Sequence, residues 1–336
     1  MTDNNQWLIA ERPIGRPVAM ADFKHVLGKI VKPKSGQVLV KILYLGFDPA
    51  QKGWMENLGG YVAPTQIGDV MRATAIGQVI ESQVSEFEPG DTILGPLGWQ
   101  EYATLSAKDI KKIPNDAMLS ANLSVLGTTG MTAYFGLFDV GKPRAGDTVV
   151  VSGAAGATGS IVGQLAKLSG CHTIGIAGGE KKCKWLTDDV GYDKSIDYKN
   201  QDVKARLKEE CPGRINVFYD NVGGDILNYA LANIDMNARV VICGGISRYE
   251  QGQMPKGPEN YFNLIFKRAT MQGFIVIDYI PQFSEAQKRM RNWIKSGDIV
   301  YKEDIQKGFE NIPKTFQRLF SGKNFGKQLL KLADPE

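Results

Sequence analysis

The residues with the most chemical content lie in one run, from Thr148 through Val149, Val150, Val151 and Ser152 to Gly159. A β-branched stretch ends there in a turn of small residues, and residues 160–168 continue with helix-like apolar spacing. Small side chains let a backbone approach a pyrophosphate closely. The first turn of a helix adds free N–H groups and a favourable dipole. Gly153, Ala154, Gly156, Ala157, Thr158 and Gly159 therefore form a candidate phosphate cradle. In the G-x-G-x-x-G spacing Ala154 holds the place of the first glycine, and Gly156 and Gly159 hold the other two. Such a motif gains weight only from a strand before it and a helix after it. Both are expected here, with a second strand at 172–177; the competing reading is a glycine-rich turn in another α/β protein.

The next question is which dinucleotide. NAD sites place an Asp or Glu at the tip of the second strand to hold the ribose hydroxyls. Here that tip is Gly178-Gly179, followed by Glu180, Lys181 and Lys182. Lys182 and the later Tyr198 favour a 2′-phosphate, and hence NADP; Glu180 argues the other way. Lys181, Lys182 and Lys184 also suit a solvated helix face, the commoner role of a charge run.

These residues need a scaffold, and the chain is long enough for two domains at 336 residues. Its 43% hydrophobic content fits a packed soluble protein, and a net charge of +4 is too mild to argue for a nucleic-acid partner. No apolar run approaches a membrane span. The first residues carry no basic end and no long apolar stretch, so no secretory signal is read and a cytoplasmic location is expected. Cys171, Cys183, Cys211 and Cys243 form no C-x-x-C pair, and the only histidines are His25 and His172. That set is too scattered for a zinc site or a disulfide framework, and the cysteines read as small buried apolar residues.

Residues 1–125 are rich in strand signals, at 37–44, at 75–81 and after the turn in 88–95, and suit a compact β barrel. From 126 to 295 strands at 148–152, 172–177, 194–197, 215–220, 238–243 and 271–277 alternate with helices. Six strands with helices between them are the count of a doubly wound sheet. The tail from 296 to 336 returns to short strand and helix pieces that complete the first domain.

Several segments together resemble one family. They are Asp48-Pro49-Ala50-Gln51-Lys52-Gly53-Trp54-Met55, the run from Gly127 to Ala133, the phosphate turn, Asp197-Tyr198-Lys199, Asp220-Asn221-Val222-Gly223-Gly224, the run from Cys243 to Tyr249, and the run from Gly322 to Lys327. In this order they resemble the zinc-independent medium-chain dehydrogenase/reductase superfamily. Within it they look like the NADPH-dependent double-bond reductases, the curcumin, alkenal and prostaglandin reductase group. The resemblance implies an α/β protein: a Rossmann-type doubly wound parallel sheet at 126–295 plus a GroES-like β-barrel catalytic domain from 1–125 and 296–336. It implies that Lys182 and Tyr198 take the 2′-phosphate end of NADPH and that Asn324 contacts the cofactor from the tail. Thr128, Gly178, Asn221, Cys243, Gly244 and Ser247 fall among its other cofactor-binding positions, the last four near the nicotinamide. It also places Tyr249 beside the substrate and implies a homodimer. Two departures stand out. The family's D-P-Y-M-R has Ala50 at its tyrosine and Lys52 at its arginine, so Tyr61 is a second candidate phenol. Zinc-dependent relatives carry a Cys near 47 and Gly-His-Glu near 68, where this chain has Phe47 and Gly68-Asp69-Val70, so no catalytic metal is expected.

The chemistry implied is hydride delivery to the β-carbon of an enal or enone. A phenol, Tyr249 first and Tyr61 second, would stabilise the enolate oxygen. Trp54, Met55, Tyr61, Tyr261 and Phe262 either wall an apolar pocket or pack as core. Two other readings stay open: a quinone reductase on the same scaffold, and a non-catalytic NADPH-binding protein.

Overall fold

The computed structural model describes residues 3–57, 60, 62–211, 214–248 and 257–335. It divides into two compact units, Met1–Ser124 with Glu303–Glu336, and Val125–Lys302. The second division falls after Lys302 rather than near 295. Gln164 in the larger unit explains this: its side chain donates to the Val300 carbonyl and accepts from the Val300 amide.

In the Val125–Lys302 unit six strands form one sheet. They are β1 (Thr148–Ser152), β2 (His172–Ala177), β3 (Lys194–Asp197), β4 (Ile215–Asp220), β5 (Ile234–Ile242) and β6 (Thr270–Gly273). Their order is β3-β2-β1-β4-β5-β6, and every pairing is parallel. That is the doubly wound dinucleotide-binding order, with its reversal between β1 and β4. Val149, Val150 and Val151 are fully buried, as a strand covered on both faces requires. Four helices follow the first four strands: α1 (Gly159–Leu168), α2 (Glu180–Asp188), α3 (Val203–Glu210) and α4 (Gly224–Leu231). Residues Gly159 to Ala166 of α1 are all buried.

Two strands differ from expectation. β5 starts at Ile234, and Asn237 interrupts its pattern at φ +58° beside a register shift against β4. β6 stops at Gly273 instead of running to 277; Val276–Gln282 winds into a 3-10 helix containing Pro281.

The other unit is β-rich. A seven-stranded sheet joins Gln37–Gly46, Ala75–Ser82, Thr92–Gly95, Tyr102–Ser106, Lys111–Lys112, Glu303–Lys307 and Lys327–Lys331. Gln37–Gly46 is its hub, antiparallel to three neighbours. Its core holds Phe47, Trp99 and Phe316, with ring centroids 5.5–6.3 Å apart, and Phe23 lies 4.9 Å from Trp99. The α/β class therefore holds: one unit carries a Rossmann-type parallel sheet and the other is β-rich.

Candidate cofactor site and active site

β1 ends at Ser152 and the chain turns through Gly153, whose φ of +60° favours glycine. The Ala154 amide donates to the Ile176 carbonyl on β2 at 3.0 Å, which anchors the turn to the sheet. Ala154 fits in a glycine's place because its neighbour gave way. A Cβ added to Gly175 on β2 would lie 2.9 Å from the Ala154 Cβ. Gly159 has no such latitude: a Cβ there would sit 2.5 Å from the Gly153 carbonyl oxygen and 2.8 Å from the Ala154 Cα. α1 therefore begins in contact with the turn. The Tyr192 hydroxyl adds a hydrogen bond to the Gly159 carbonyl at 2.7 Å. Gly156, Ala157 and Thr158 remain half-buried, forming a side-chain-poor face at the start of a ten-residue helix. That cradle, which added Cβ atoms would fill, fits a dinucleotide pyrophosphate.

The tip of β2 is equally specific. The ring and hydroxyl of Tyr198 lie across Gly178, where a Cβ would come within 2.7 Å. Tyr198 itself is half exposed. Lys182 is half-buried in the first turn of α2, and Glu180, exposed, opens that helix. The structure thus brings Gly178, Lys182 and Tyr198 to the ends of neighbouring strands.

At the β1/β4 reversal lies a polar cluster that composition and spacing did not reveal. Asp220, 1% exposed, accepts from the Ser152 hydroxyl at 2.7 Å and from the amides of Val222 and Gly223 at 3.0 Å. Burial raises its carboxyl above the ordinary carboxylate value, more than these donors lower it. Asn221 donates to the Ser152 carbonyl at 2.8 Å, so its side chain is fixed at the switch point. The turn after β5 folds back onto these residues. The amides of Cys243 and Gly244 donate to the Asp220 carbonyl, and the Ser247 hydroxyl donates to the Val222 carbonyl at 2.6 Å. Burial, reinforced by the Asp220 charge, pushes the Cys243 thiol up to about 12 against its hydrogen bond with Tyr219. The available sequence signal was a polar residue, Ser152 or Asp220, ending each of two apolar strands at the sheet's reversal.

Thr128 is exposed at the start of the helix Thr128–Phe135. Asn324 belongs to the β-rich unit, where its side chain donates to the Gly326 carbonyl at 3.1 Å. Tyr61 and Tyr249, the two candidate phenols, lie outside the described residues. Of the other proposed pocket residues, Met55 is fully buried and packs as core. Trp54 is half-buried with the Arg72 guanidinium 5.9 Å from its ring centroid, and Tyr261 and Phe262 are both exposed. Lys52, at the family's arginine, is fully buried and paired with Glu56 at 2.6 Å. Phe47, where zinc-dependent relatives have a ligand cysteine, is closed into the aromatic core. No group of three or more His, Cys, Asp or Glu able to hold a metal occurs among the described residues. Nor, among them, is any helix long and apolar enough to cross a membrane.

Strand order, glycine cradle and polar switch point together define a dinucleotide-binding α/β protein. Residues 5–113 match the family described as the N-terminal domain of oxidoreductase, and residues 157–294 the one described as zinc-binding dehydrogenase. The chain is 38% identical to the NADPH-dependent curcumin reductase of Escherichia coli (strain K12), over 98% of this chain and 97% of that one. It is 36% identical to prostaglandin reductase 1 of Bos taurus, over 98% and 100%. CurA in complex with NADPH from Vibrio vulnificus matches with a TM-score of 0.94 at 38% identity, over 98% of this chain and 100% of that one. The chain belongs to the zinc-independent medium-chain dehydrogenase/reductase family, in its NADPH-dependent double-bond reductase group, and is an NADP-dependent oxidoreductase.

Proposed function

We propose that this protein reduces the carbon–carbon double bond of α,β-unsaturated aldehydes or ketones. The observation that carries this reading is Phe47 packed among Trp99 and Phe316. Where zinc-dependent relatives bind a Lewis acid, this chain spends the position on apolar packing. Conjugate reduction suits such a site, because a single hydrogen-bond donor at the carbonyl oxygen stabilises the enolate.

When bound, NADPH supplies the hydride that reaches the β-carbon. The residues from Gly153 to Gly159, with Thr128, would hold its pyrophosphate and neighbouring groups. Gly178, Lys182 and Tyr198 would hold the 2′-phosphate end. Asn221, Cys243, Gly244 and Ser247 would face the nicotinamide end, and the resemblance adds Asn324 as a cofactor contact. Tyr249 is the first candidate donor to the carbonyl oxygen and Tyr61 the second. We read the unit Val125–Lys302, expected from sequence at 126–295, as the dinucleotide-binding domain and the other unit as the catalytic one. The protein acts as a homodimer on a small-molecule substrate, in the cytoplasm, where its free cysteines stay reduced.

The test is NADPH oxidation with a panel of enals, enones and quinones. Enals or enones are expected to give the highest kcat/KM, with the saturated carbonyl compound as product. Turnover of quinones alone would establish the quinone reductase reading instead, and NADPH binding without turnover of any member would establish a non-catalytic protein.

A further inference from the structure

Gly179 precedes α2 at φ +94°, and its N–H is already committed. It donates to Asp197, the last residue of β3, at 2.7 Å to Oδ1. The same oxygen accepts the Lys199 amide at 3.0 Å, and Oδ2 accepts the Asn200 side-chain amide at 2.7 Å. The backbone N–H of Asp197 donates to the Gln201 side chain at 2.9 Å. One carboxylate thus ties the turn after β2 to the turn after β3. Tyr198 lies between the two ties. Its amide donates to the Ala177 carbonyl at 3.0 Å, and its ring covers Gly178. Asp197 is 8% exposed and Tyr198 48%, so the acid lies beneath the surface that the tyrosine presents. Burial pushes the Asp197 carboxyl up, but the Gly179 amide, the Asn200 side chain and Lys199 outweigh it and hold the group below its ordinary value.

An NAD-type site uses an acid at the tip of its second strand to receive ribose hydroxyls. Here an acid stands one strand over, with its oxygens filled by protein donors. We infer that Asp197 is a positioning residue for cofactor choice: it acts through Gly179 and Tyr198, setting the turn on which Lys182 and Tyr198 meet the 2′-phosphate. The inference rests on the reading of Lys182 and Tyr198 as that end of the site.

The experiment titrates full-length Asp197→Ala, Asp197→Asn, Asn200→Ala and Lys182→Ala with NADPH and with NADH. It follows nicotinamide fluorescence and records Tm alongside. Asp197→Ala is expected to lower the NADPH-to-NADH affinity ratio about tenfold or more, through NADPH, as expected when a charge-assisted contact is lost. Asp197→Asn keeps one oxygen for Gly179 and Lys199 and should rescue the ratio to within about threefold of the parent, about 0.65 kcal/mol. Asn200→Ala frees only Oδ2 and should give a smaller fall than Asp197→Ala. It serves as the readout if Asp197→Ala does not fold, and an unchanged ratio there overturns the inference. An unchanged ratio in folded Asp197→Ala also overturns it. So does an equal loss for both cofactors with a lower Tm, which marks a merely structural residue. If Asp197→Asn falls as far as Asp197→Ala, charge rather than geometry matters and the inference is wrong. If Lys182→Ala leaves the ratio unchanged while Asp197→Ala lowers it, the reading of Lys182 fails and the positioning role stands.

Discussion

Lys182 stands half-buried in the first turn of α2, and Tyr198 reaches over Gly178 beside it. A charge-assisted contact to the 2′-phosphate contributes roughly 1.5–3 kcal/mol. Lys182→Ala should therefore raise the Kd for NADPH while that for NADH stays nearly constant; equal losses, measured by fluorescence titration, would remove the assignment. In sequence Tyr249 comes seven residues after the end of β5, and open α/β sheets bind ligands beyond the carboxyl ends of their strands. Loss of an oxyanion donor costs about 100–1000-fold in turnover. Tyr249→Phe should thus lower kcat on an enone with NADPH affinity preserved. Full kcat in Tyr249→Phe with loss in Tyr61→Phe would reverse the two roles. The cysteines behave differently. Burial pushes Cys171 up to about 11 and Cys211 to about 12, from an unfolded value of 9.0. The unfolded chain then releases these protons first, so the stability they confer is present below pH 9.0 and is lost as pH rises toward those folded values. The urea midpoint should fall over that window, and less steeply in Cys211→Ala; identical slopes would refute the assignment to this thiol. Residue types alone pointed to the cradle and to Lys182. They did not point to Asp197 or Asp220, because the donors to a buried acid come from neighbouring turns that only tertiary structure assembles.

The bounds of β1 to β4 match the sequence reading to the residue: β1, β2 and β4 are largely apolar runs bounded by turn residues, whereas β3 carries a single apolar residue, Ile196. Those of β5 and β6 do not, and the reasons are local. Asp235 and Asn237 break the apolar pattern of β5, where Asn237 takes a positive φ. Residues 274–277 are apolar enough for a strand, but periodicity cannot separate a short apolar run into strand or helix. Phe274 instead turns toward Tyr279 at 6.4 Å and fills the space that a side chain at Gly136 would need. The contact between turn and α1 gives a test with an internal control. Gly159→Ala would drive a Cβ into the Gly153 carbonyl, whereas Gly163→Ala would drive one to within 2.1 Å of the Tyr192 ring, one helical turn away. Both should overpack the unit and destabilise it by about 1–3 kcal/mol in urea unfolding. Gly159→Ala should also weaken NADPH binding the more in protein that remains folded, since Gly163→Ala reaches the cradle only through the Tyr192 hydroxyl. If the two variants lose NADPH affinity to the same extent, the cradle is not where the pyrophosphate binds.

The two-unit organisation and the α/β class follow from strand count, helix alternation and the return of β signals in the tail. Assembly is harder to see, because it depends on which strand ends the sheet. In the sequence, the strand at 238–243 and the apolar residues 274–277 are two possible edges for extension across a two-fold axis. The structure removes the first, since β5 is paired on both sides, by β4 and by β6. It moves the second to β6, which ends the sheet at Thr270–Gly273. Exposed apolar side chains gather in the flanking sequence: Tyr261, Phe262, Ile265 and Phe266 before β6, and Ile277 and Ile280 after it. Ile265 and Phe266 are 65% and 63% exposed, on a helix of five residues that does not hide them. Single exposed apolar residues are ordinary, but several flanking in sequence a strand that ends the sheet among the described residues are an association hazard unless a partner covers them. A second copy related by a two-fold axis would pair the edge and cover such residues in a self-complementary contact. Sedimentation at micromolar concentration should therefore give a dimer of the 36.9 kDa chain. Phe266→Asp, alone or with Ile265→Asp, should shift it to monomer while NADPH still binds, because neither residue lies in the cradle. A monomer in the parent protein would exclude the homodimer. A dimer that survives both substitutions would place its interface on another face.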